Sequence, residues 1–132
     1  MTDLAQRCGT GRFTVLRAAL LILLAQTTES TDIVVGTPVA GREDPRLEQL
    51  VGTLTNTVAI RTDIAAASTV EDVVQSARAS ELLAFDHASV PFEDVVADLA
   101  AASTKGRHPI FQVALSLDVF ATQTPTLADV RF

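Results

Sequence analysis

Few side chains in this chain could perform catalysis. Its 132 residues include two histidines, His87 and His108, and one cysteine, Cys8. A lone cysteine cannot form an internal disulfide or a thiolate metal site, and two isolated histidines offer little for metal binding. Nucleophilic catalysis needs a Ser, Cys or Lys beside a base, and neither histidine lies in a motif that supplies one. We therefore expect both histidines to be surface or helix-capping residues, and we expect no bound metal.

The glycine-containing segment and the acidic pairs favour neither a nucleotide site nor an acid–base pair. Residues 36–42 read GTPVAGR and end in Arg where a phosphate loop needs Gly-Lys-Ser/Thr. Pro38 also removes an amide donor from such a loop. The acidic pairs at 71–72 and 93–94 fall in predicted first helical turns, where carboxylates complement the helix dipole. These carboxylates are expected to be structural.

Length, composition and net charge limit the kinds of protein that this chain could be. A chain of 132 residues with 48% hydrophobic and 20% charged residues is typical of one folded domain. The net charge of −6 has no basic cluster to offset it, so a nucleic-acid partner is disfavoured. The apolar run at 18–25 is too short to span a membrane and only weakly resembles a signal sequence. We expect a cytoplasmic protein without a membrane anchor.

Apolar periodicity predicts three helices. Residues 13–26 are almost continuously apolar, which predicts a helix buried on most of its surface. Ser68 and Glu71 form a capping-box pattern that should start a second helix running to about residue 85. Pro91 suits the first turn of a third helix, in which Phe92 to Leu99 carry an apolar stripe.

Three strands are predicted around these helices. Residues 32–36 form a β-branched run without alternation, typical of a central strand covered on both faces. Residues 56–62 and 111–117 alternate apolar and polar side chains. Loops are predicted at 37–44, leading into a single helical turn at 46–51, and at 103–108. The order α-β-β-α-α-β implies an α/β or α+β sandwich, with helices packed on a small mixed sheet.

Four segments in succession resemble signatures of condensation domains from non-ribosomal peptide synthetases. They read TDIVVGTPVAGR at 31–42, VGTLTNTVAIR at 51–61, HASVPFE at 87–93 and RHPIFQ at 107–112. Their order and spacing fit the family, and the helix at 13–26 precedes the first segment as it does there. The resemblance covers residues 10–120.

The resemblance implies a chloramphenicol-acetyltransferase-like fold, in which two similar lobes enclose a tunnel. This chain matches part of the second lobe, so the implied organisation is an extension at 1–12, a partial lobe at 13–120 and a truncated tail at 121–132. The signature His-His-x-x-x-Asp-Gly belongs to the first lobe and does not occur in this sequence. The parent enzyme would join groups carried as thioesters on the phosphopantetheine arms of peptidyl carrier domains. This chain would bind no cofactor directly, and its partners would be the missing lobe and those carriers.

The resemblance also suggests roles for individual residues. Arg42 is the candidate to pair with the signature Asp of the other lobe, since Arg can hold a carboxylate bidentately; otherwise it is a solvated loop residue. Asn56 could hydrogen-bond across the tunnel floor or could satisfy the backbone of a turn. The remaining motif residues are expected to be structural, with Phe92 and Phe111 in the core: Gly36, Gly41, Gly52, Arg61, Pro91, Phe92, Glu93, Arg107, Pro109, Phe111 and Gln112.

Two departures from the family pattern bear on the site. Leu54 and Thr55 stand where Phe-Val is common, which would alter the tunnel shape or the substrate preference. His108 stands where Asn is common, which is a modest change.

Several functions remain open from the sequence. The chain could be a condensation-domain fragment, arising from a truncated or split reading frame or from a partial gene model. It could instead be a non-catalytic module that binds a carrier domain. A third alternative is a piece of an epimerisation, cyclisation or lipid acyltransferase member of the same superfamily.

Overall fold

The computed structural model describes residues 1–41, 46, 50–67, 69–99 and 108–117. The predicted loop at 103–108 and helical turn at 46–51 lie largely outside these residues, as do Arg42 and Arg107. The elements in chain order are the following: α1 (Thr2–Arg7), α2 (Arg12–Thr28), β1 (Asp32–Ala40), β2 (Thr55–Asp63), α3 (Val70–Phe85), α4 (Phe92–Leu99) and β3 (Val113–Ala114).

The three strands form one mixed sheet in the order β2-β1-β3. β1 pairs antiparallel with β2, with Val35 opposite Ile60, and parallel with β3, with Val35 opposite Val113. β1 is therefore the central strand, as the β-branched run predicts. The predicted loop at 37–44 was wrong for its first part, because residues 37–40 continue β1. Pairing with residues 55–58 of β2 overrides the loop-like composition of this segment.

β3 is much shorter than the strand predicted at 111–117. Only Val113 and Ala114 pair with β1, and the amide of Leu115 adds one bond of 2.9 Å to the carbonyl of Gly36. The chain just before β3 is held in a turn, since Nδ1 of His108 accepts from the amides of Ile110 and Phe111 at 3.4 and 3.3 Å. That turn keeps the beginning of the predicted strand out of the sheet.

The helices follow the predicted pattern with small shifts. α2 begins and ends within two residues of the prediction, and α4 follows Pro91 as expected. α3 begins one residue later than the Ser68–Glu71 pattern suggests, because Thr69 and Asp72 form the capping box instead. The Thr69 hydroxyl accepts from the Asp72 amide at 3.1 Å, and the Asp72 carboxylate accepts from the Thr69 amide at 2.9 Å.

The main core lies between the helices and one face of the sheet. Its buried members come from α1 and the residue after it, from α2, α3 and β1, and from the residue after β2: Ala5, Cys8, Val15, Ala18, Leu21, Ile33, Val35, Ile64, Val73, Val74 and Ala77. α2 is covered less than predicted, since Leu23 is 55% exposed. Residues 1–12, expected to be an extension, contain α1, whose Ala5 packs into this core.

None of the helices in the described part of the chain combines the length and apolar character needed to cross a membrane.

Candidate functional site

A cavity of about 490 Å³ lies where three of the four signature segments meet. The end of β1, the start of β2 and the corner between α3 and α4 form its walls. The described lining residues are Val39, Ala40, Gly41, Thr53, Leu54, Thr55, Asn56, Ala88, Ser89, Pro91 and Glu93. The lining is mostly small and uncharged, and hydroxyl groups of Thr53, Thr55 and Ser89 are available to orient a polar ligand.

Asn56 fastens the start of β2 to the α3–α4 corner. Its amide nitrogen donates to the carbonyls of Ala88 at 2.8 Å and Val90 at 2.7 Å. Its side-chain oxygen accepts from the amide of Phe92 at 3.1 Å. Asn56 therefore satisfies backbone groups of a turn more than thirty residues away, and in doing so it joins two walls of the cavity.

Gly41 allows the two chain segments beside the cavity to approach closely. Its amide donates to the carbonyl of Leu54 at 3.0 Å, and a Cβ on residue 41 would overlap that carbonyl oxygen. Only glycine fits this approach without moving the backbone. The two residues that depart from the family pattern, Leu54 and Thr55, both line the cavity.

Three rings pack together between the N-terminus of α4 and the segment just before β3. Phe92 stacks on His108 with ring centres 5.7 Å apart, and His108 lies 4.4 Å from Phe111. Phe111 also packs against Gly36 so closely that a Cβ there would overlap its ring. Phe92 and Phe111 were expected in the core and are half-buried, whereas His108 is exposed. His108 thus has a structural role in a turn, and His87 lies exposed in the turn after α3.

Arg61, expected to be structural, forms an exposed pair with Asp32 on the neighbouring strand. Its Nε and Nη2 donate to the two carboxylate oxygens at 2.8 and 2.6 Å. These hydrogen bonds lower the pKa of Asp32 and raise the pKa of Arg61. The pair lies outside the set of residues that line the cavity.

The remaining predicted motif residues do not all gather at the cavity. Pro91 and Glu93 line it, but Gln112 instead donates from its side chain to the carbonyl of His108 at 2.8 Å. Pro109 is exposed in the same turn.

A Cβ on Gly52 would meet nothing within 4 Å, so no close approach requires glycine there. Arg42 and Arg107 lie outside the described residues.

Sequence reasoning missed a buried polar network centred on Arg17. Its Nε donates to Oε1 of Glu81 at 2.8 Å and its Nη1 to the hydroxyl of Thr62 at 2.9 Å, while Nη2 donates to the Ser80 hydroxyl at 2.7 Å and to the Ala77 carbonyl. Thr14 donates to Oε2 of Glu81 at 2.7 Å. Burial lowers the pKa of Arg17, although the bond to Glu81 opposes that effect.

A sequence signal for this network did exist. Arg17 interrupts the apolar run of α2 beside the buried Ala18, and Glu81 lies four residues after the buried Ala77 on the apolar face of α3. Two opposite charges on buried helix faces predict an ion pair, since an unpaired buried charge is very costly.

Across the described ranges, no group of three or more His, Cys, Asp or Glu side chains is arranged to hold a metal ion. The arrangement of the cavity is suited to holding and orienting a ligand, and the described lining carries a single ionisable side chain, that of Glu93.

Comparison with known proteins identifies the family. The family model for the condensation domain matches residues 1–131. The chain is 37% identical over 130 residues to the probable non-canonical nonribosomal peptide synthetase CymA of Salinispora arenicola, and 35% identical over 130 residues to tyrocidine synthase 3 of Brevibacillus parabrevis. Each alignment covers 98% of this chain, which spans about 2% of the length of either relative.

Solved structures agree with the sequence comparison. The X-domain from teicoplanin biosynthesis is 32% identical with a TM-score of 0.78, over 86% of this chain and 25% of that one. The four-domain nonribosomal peptide synthetase AB3403 has a TM-score of 0.85 over 92% of this chain and 9% of that one, and at 24% identity it supports the fold alone. The fold is therefore the predicted chloramphenicol-acetyltransferase-like architecture. With a family match along nearly its whole length, the chain belongs to the condensation-domain family of nonribosomal peptide synthetases.

Proposed function

We propose that this chain is part of the second lobe of a condensation domain that forms amide bonds between aminoacyl or peptidyl groups. Both groups would be carried as phosphopantetheine thioesters on peptidyl carrier domains. The observation that carries the proposal is the meeting of three family segments at one cavity: the end of β1, the start of β2 and the α3–α4 corner. The match to the condensation-domain family supports the same reaction.

The proposed reaction forms a C–N bond and breaks a C–S bond. The acceptor amine attacks the donor thioester carbonyl, the thiol leaves, and the proton lost by the amine ends on that thiol. A base must assist this proton transfer, and the 132 residues contain no His-His pair that could provide the family's base. We therefore place the base in the first lobe, outside these 132 residues. We assign to this chain the positioning of the two reacting groups.

Within the chain, the cavity walls would orient the reacting groups. Small residues such as Ala40 and Gly41 leave room for a substrate, and Asn56 joins two of the walls by hydrogen bonds. We propose that Arg42, the residue after the cavity-lining Gly41, holds the Asp of the first-lobe signature through a bidentate ion pair. Such a pair would fix the geometry of the loop that carries the base.

Complementation in trans tests this proposal. The 132-residue chain alone should form no amide above a no-protein control from donor- and acceptor-loaded carriers. Addition of a matching first lobe should produce amide-forming activity. Arg42→Ala should then lower the rate about a hundredfold, because removing one partner of a partly buried charge-assisted pair costs about 3 kcal/mol or more.

Arg61→Ala is the matched control, since Arg61 pairs with Asp32 on an exposed part of the sheet. Binding of the two lobes is measured alongside activity, so that docking and catalysis are separated. Equal rate losses for the two variants at equal lobe binding would show that Arg42 does not serve the site. Amide formation by the isolated chain would overturn the assignment of the base to another lobe.

A second candidate is a non-catalytic module that binds another protein. One solved relative supports it, since the X-domain from teicoplanin biosynthesis has been crystallised in complex with OxyB. A domain of this fold can therefore serve as a docking partner. The nucleotide sequence upstream separates the candidates: an adjoining frame that encodes the His-His-x-x-x-Asp-Gly lobe favours the catalytic role, and a promoter with a ribosome-binding site favours the module.

A further inference from the structure

The Arg17 network connects α2, α3 and β2, and the last two of these elements lead to walls of the cavity. We use the name Arg17 network for Arg17 and Thr14 of α2, Glu81 and Ser80 of α3, and Thr62 of β2. The Arg17 side chain is fully buried, and the Glu81 side chain is 8% exposed. The two helices and the strand meet at this one guanidinium, which donates to four different groups.

Two of these elements lead directly to the cavity. β2 carries Thr62 near one end and Asn56 near the other, and six residues of an alternating strand place both on the same face. α3 carries Glu81 in its last turns and continues into the corner that contains Ala88 and Ser89. A shift of α3 along β2 would therefore move one cavity wall relative to the other.

Apolar packing alone does not fix that relative position. The buried residues of α3 that face the core are small, namely Val73, Val74 and Ala77. Their packing is not directional, so neighbouring registers would bury similar apolar area. The five hydrogen bonds that join Arg17 to its partners and Thr14 to Glu81 are directional and can form together in only one register.

We infer that the Arg17 network is a positioning device that sets the register of α3 against β2 and thereby the shape of the cavity. A buried ion pair is a poor source of net stability, because desolvation of both charges offsets their attraction. Its contribution here is to select one arrangement among several of similar energy. The inference concerns the cavity itself and does not depend on the amide-forming reaction.

The test separates positioning from stability by replacing both charges with apolar side chains of similar size. The variants are Arg17→Met, Glu81→Leu and the double variant, all in the full 132-residue chain. Urea unfolding reports stability. Hydrogen exchange at low micromolar concentration reports the Phe92 amide, whose bond to Asn56 joins the two walls, with amides shared between β1 and β2 as an internal reference.

Each single variant should unfold at lower urea concentration, because it leaves one charge buried without its partner. The double variant should recover the wild-type unfolding midpoint, yet its Phe92 amide should exchange at least tenfold faster while the reference amides stay unchanged. Wild-type protection of Phe92 in the double variant would overturn the inference. A double variant as unstable as the single ones would also overturn it, since the network would then be needed for stability.

Two further variants complete the test. Arg17→Lys keeps the charge beside Glu81 but lacks the planar fork that reaches Thr62 and Ser80, so it should fold and still expose the Phe92 amide to faster exchange. Unchanged exchange in this variant would contradict the inference even if the apolar variants failed to fold. Arg7→Met with Glu71→Leu removes an exposed ion pair of 3.0 Å that also attaches to α3, and it should leave Phe92 exchange unchanged.

Discussion

Thr37 shows how a single buried side chain can weaken this fold. It lies in the central strand with 5% of its surface exposed, and its hydroxyl has no hydrogen-bond partner among the residues that the structure describes. A buried polar group without a partner costs about 1–3 kcal/mol. Thr37→Val keeps the shape and removes the hydroxyl, so it should raise the free energy of unfolding by about 1 kcal/mol in urea denaturation.

Thr37→Ser is the matched control, because it keeps the hydroxyl and removes only the methyl group. It should lower the free energy of unfolding, since a buried methyl group contributes about 1 kcal/mol. If Thr37→Val were the less stable of the two variants, the hydroxyl would have to be satisfied in solution.

At the residue scale, the sequence reveals which side chains are unusual but not what they contact. His108 stands out as a departure from the Asn of the family pattern, and its Nδ1 performs the backbone-accepting task that an Asn side-chain oxygen performs in turns. Arg17 stands out as a charge within an apolar run, yet its partner lies 64 residues away. Local spacing cannot supply a partner that only the tertiary fold brings into contact.

At the element scale, Gly36 controls how β3 joins the sheet. It lies in β1 opposite Ala114, and the ring of Phe111 occupies the space that a side chain at residue 36 would need. Gly36→Ala should therefore displace Phe111, lower the free energy of unfolding by about 1–3 kcal/mol and speed hydrogen exchange of the Leu115 amide, which bonds to the Gly36 carbonyl.

Two comparisons make this prediction specific. Gly52→Ala adds the same methyl group where nothing lies within 4 Å, so it should leave β3 unchanged. Gly36→Ala combined with Phe111→Leu should recover part of the loss, because the smaller side chain makes room for the new methyl. The steric explanation fails if Gly36→Ala has no larger effect than Gly52→Ala.

The success of sequence prediction also differs between elements. α3, α4 and β2 carry their own apolar periodicity, α2 is an almost continuous apolar run, and α3 also has a capping box, so their positions follow from local pattern. The extension of β1 through residues 37–40 does not follow from local pattern, since Pro38 and the flanking glycines are typical of a loop. Pairing with β2 makes this segment a strand. The cavity can be predicted from the sequence only in part. The signature segments indicate which residues form it, but only the structure shows that hydrogen bonds of Asn56 and Gly41 join those segments.

At the scale of the whole molecule, apolar side chains remain uncovered on the described surface. In α3, Leu82 is 58% and Leu83 is 69% exposed, and Val51 before β2 is fully exposed. Within residues 1–41, 46, 50–67, 69–99 and 108–117, no strand pairs with the outer edge of β2. An uncovered strand edge and exposed apolar side chains are both sites at which protein chains associate.

We therefore expect the purified chain to self-associate at micromolar concentrations, with a weight-average mass in sedimentation equilibrium that rises with loading concentration. Leu82→Lys together with Leu83→Glu replaces the two exposed side chains without changing the net charge, so it should reduce association while the unfolding midpoint stays unchanged. A matching first lobe that covers the same surface should reduce association as well, because binding competes with self-contact by mass action. A single sharp monomer boundary together with cooperative melting would show that the chain covers these surfaces by itself, and the idea of a lobe that needs a partner would lose its physical basis.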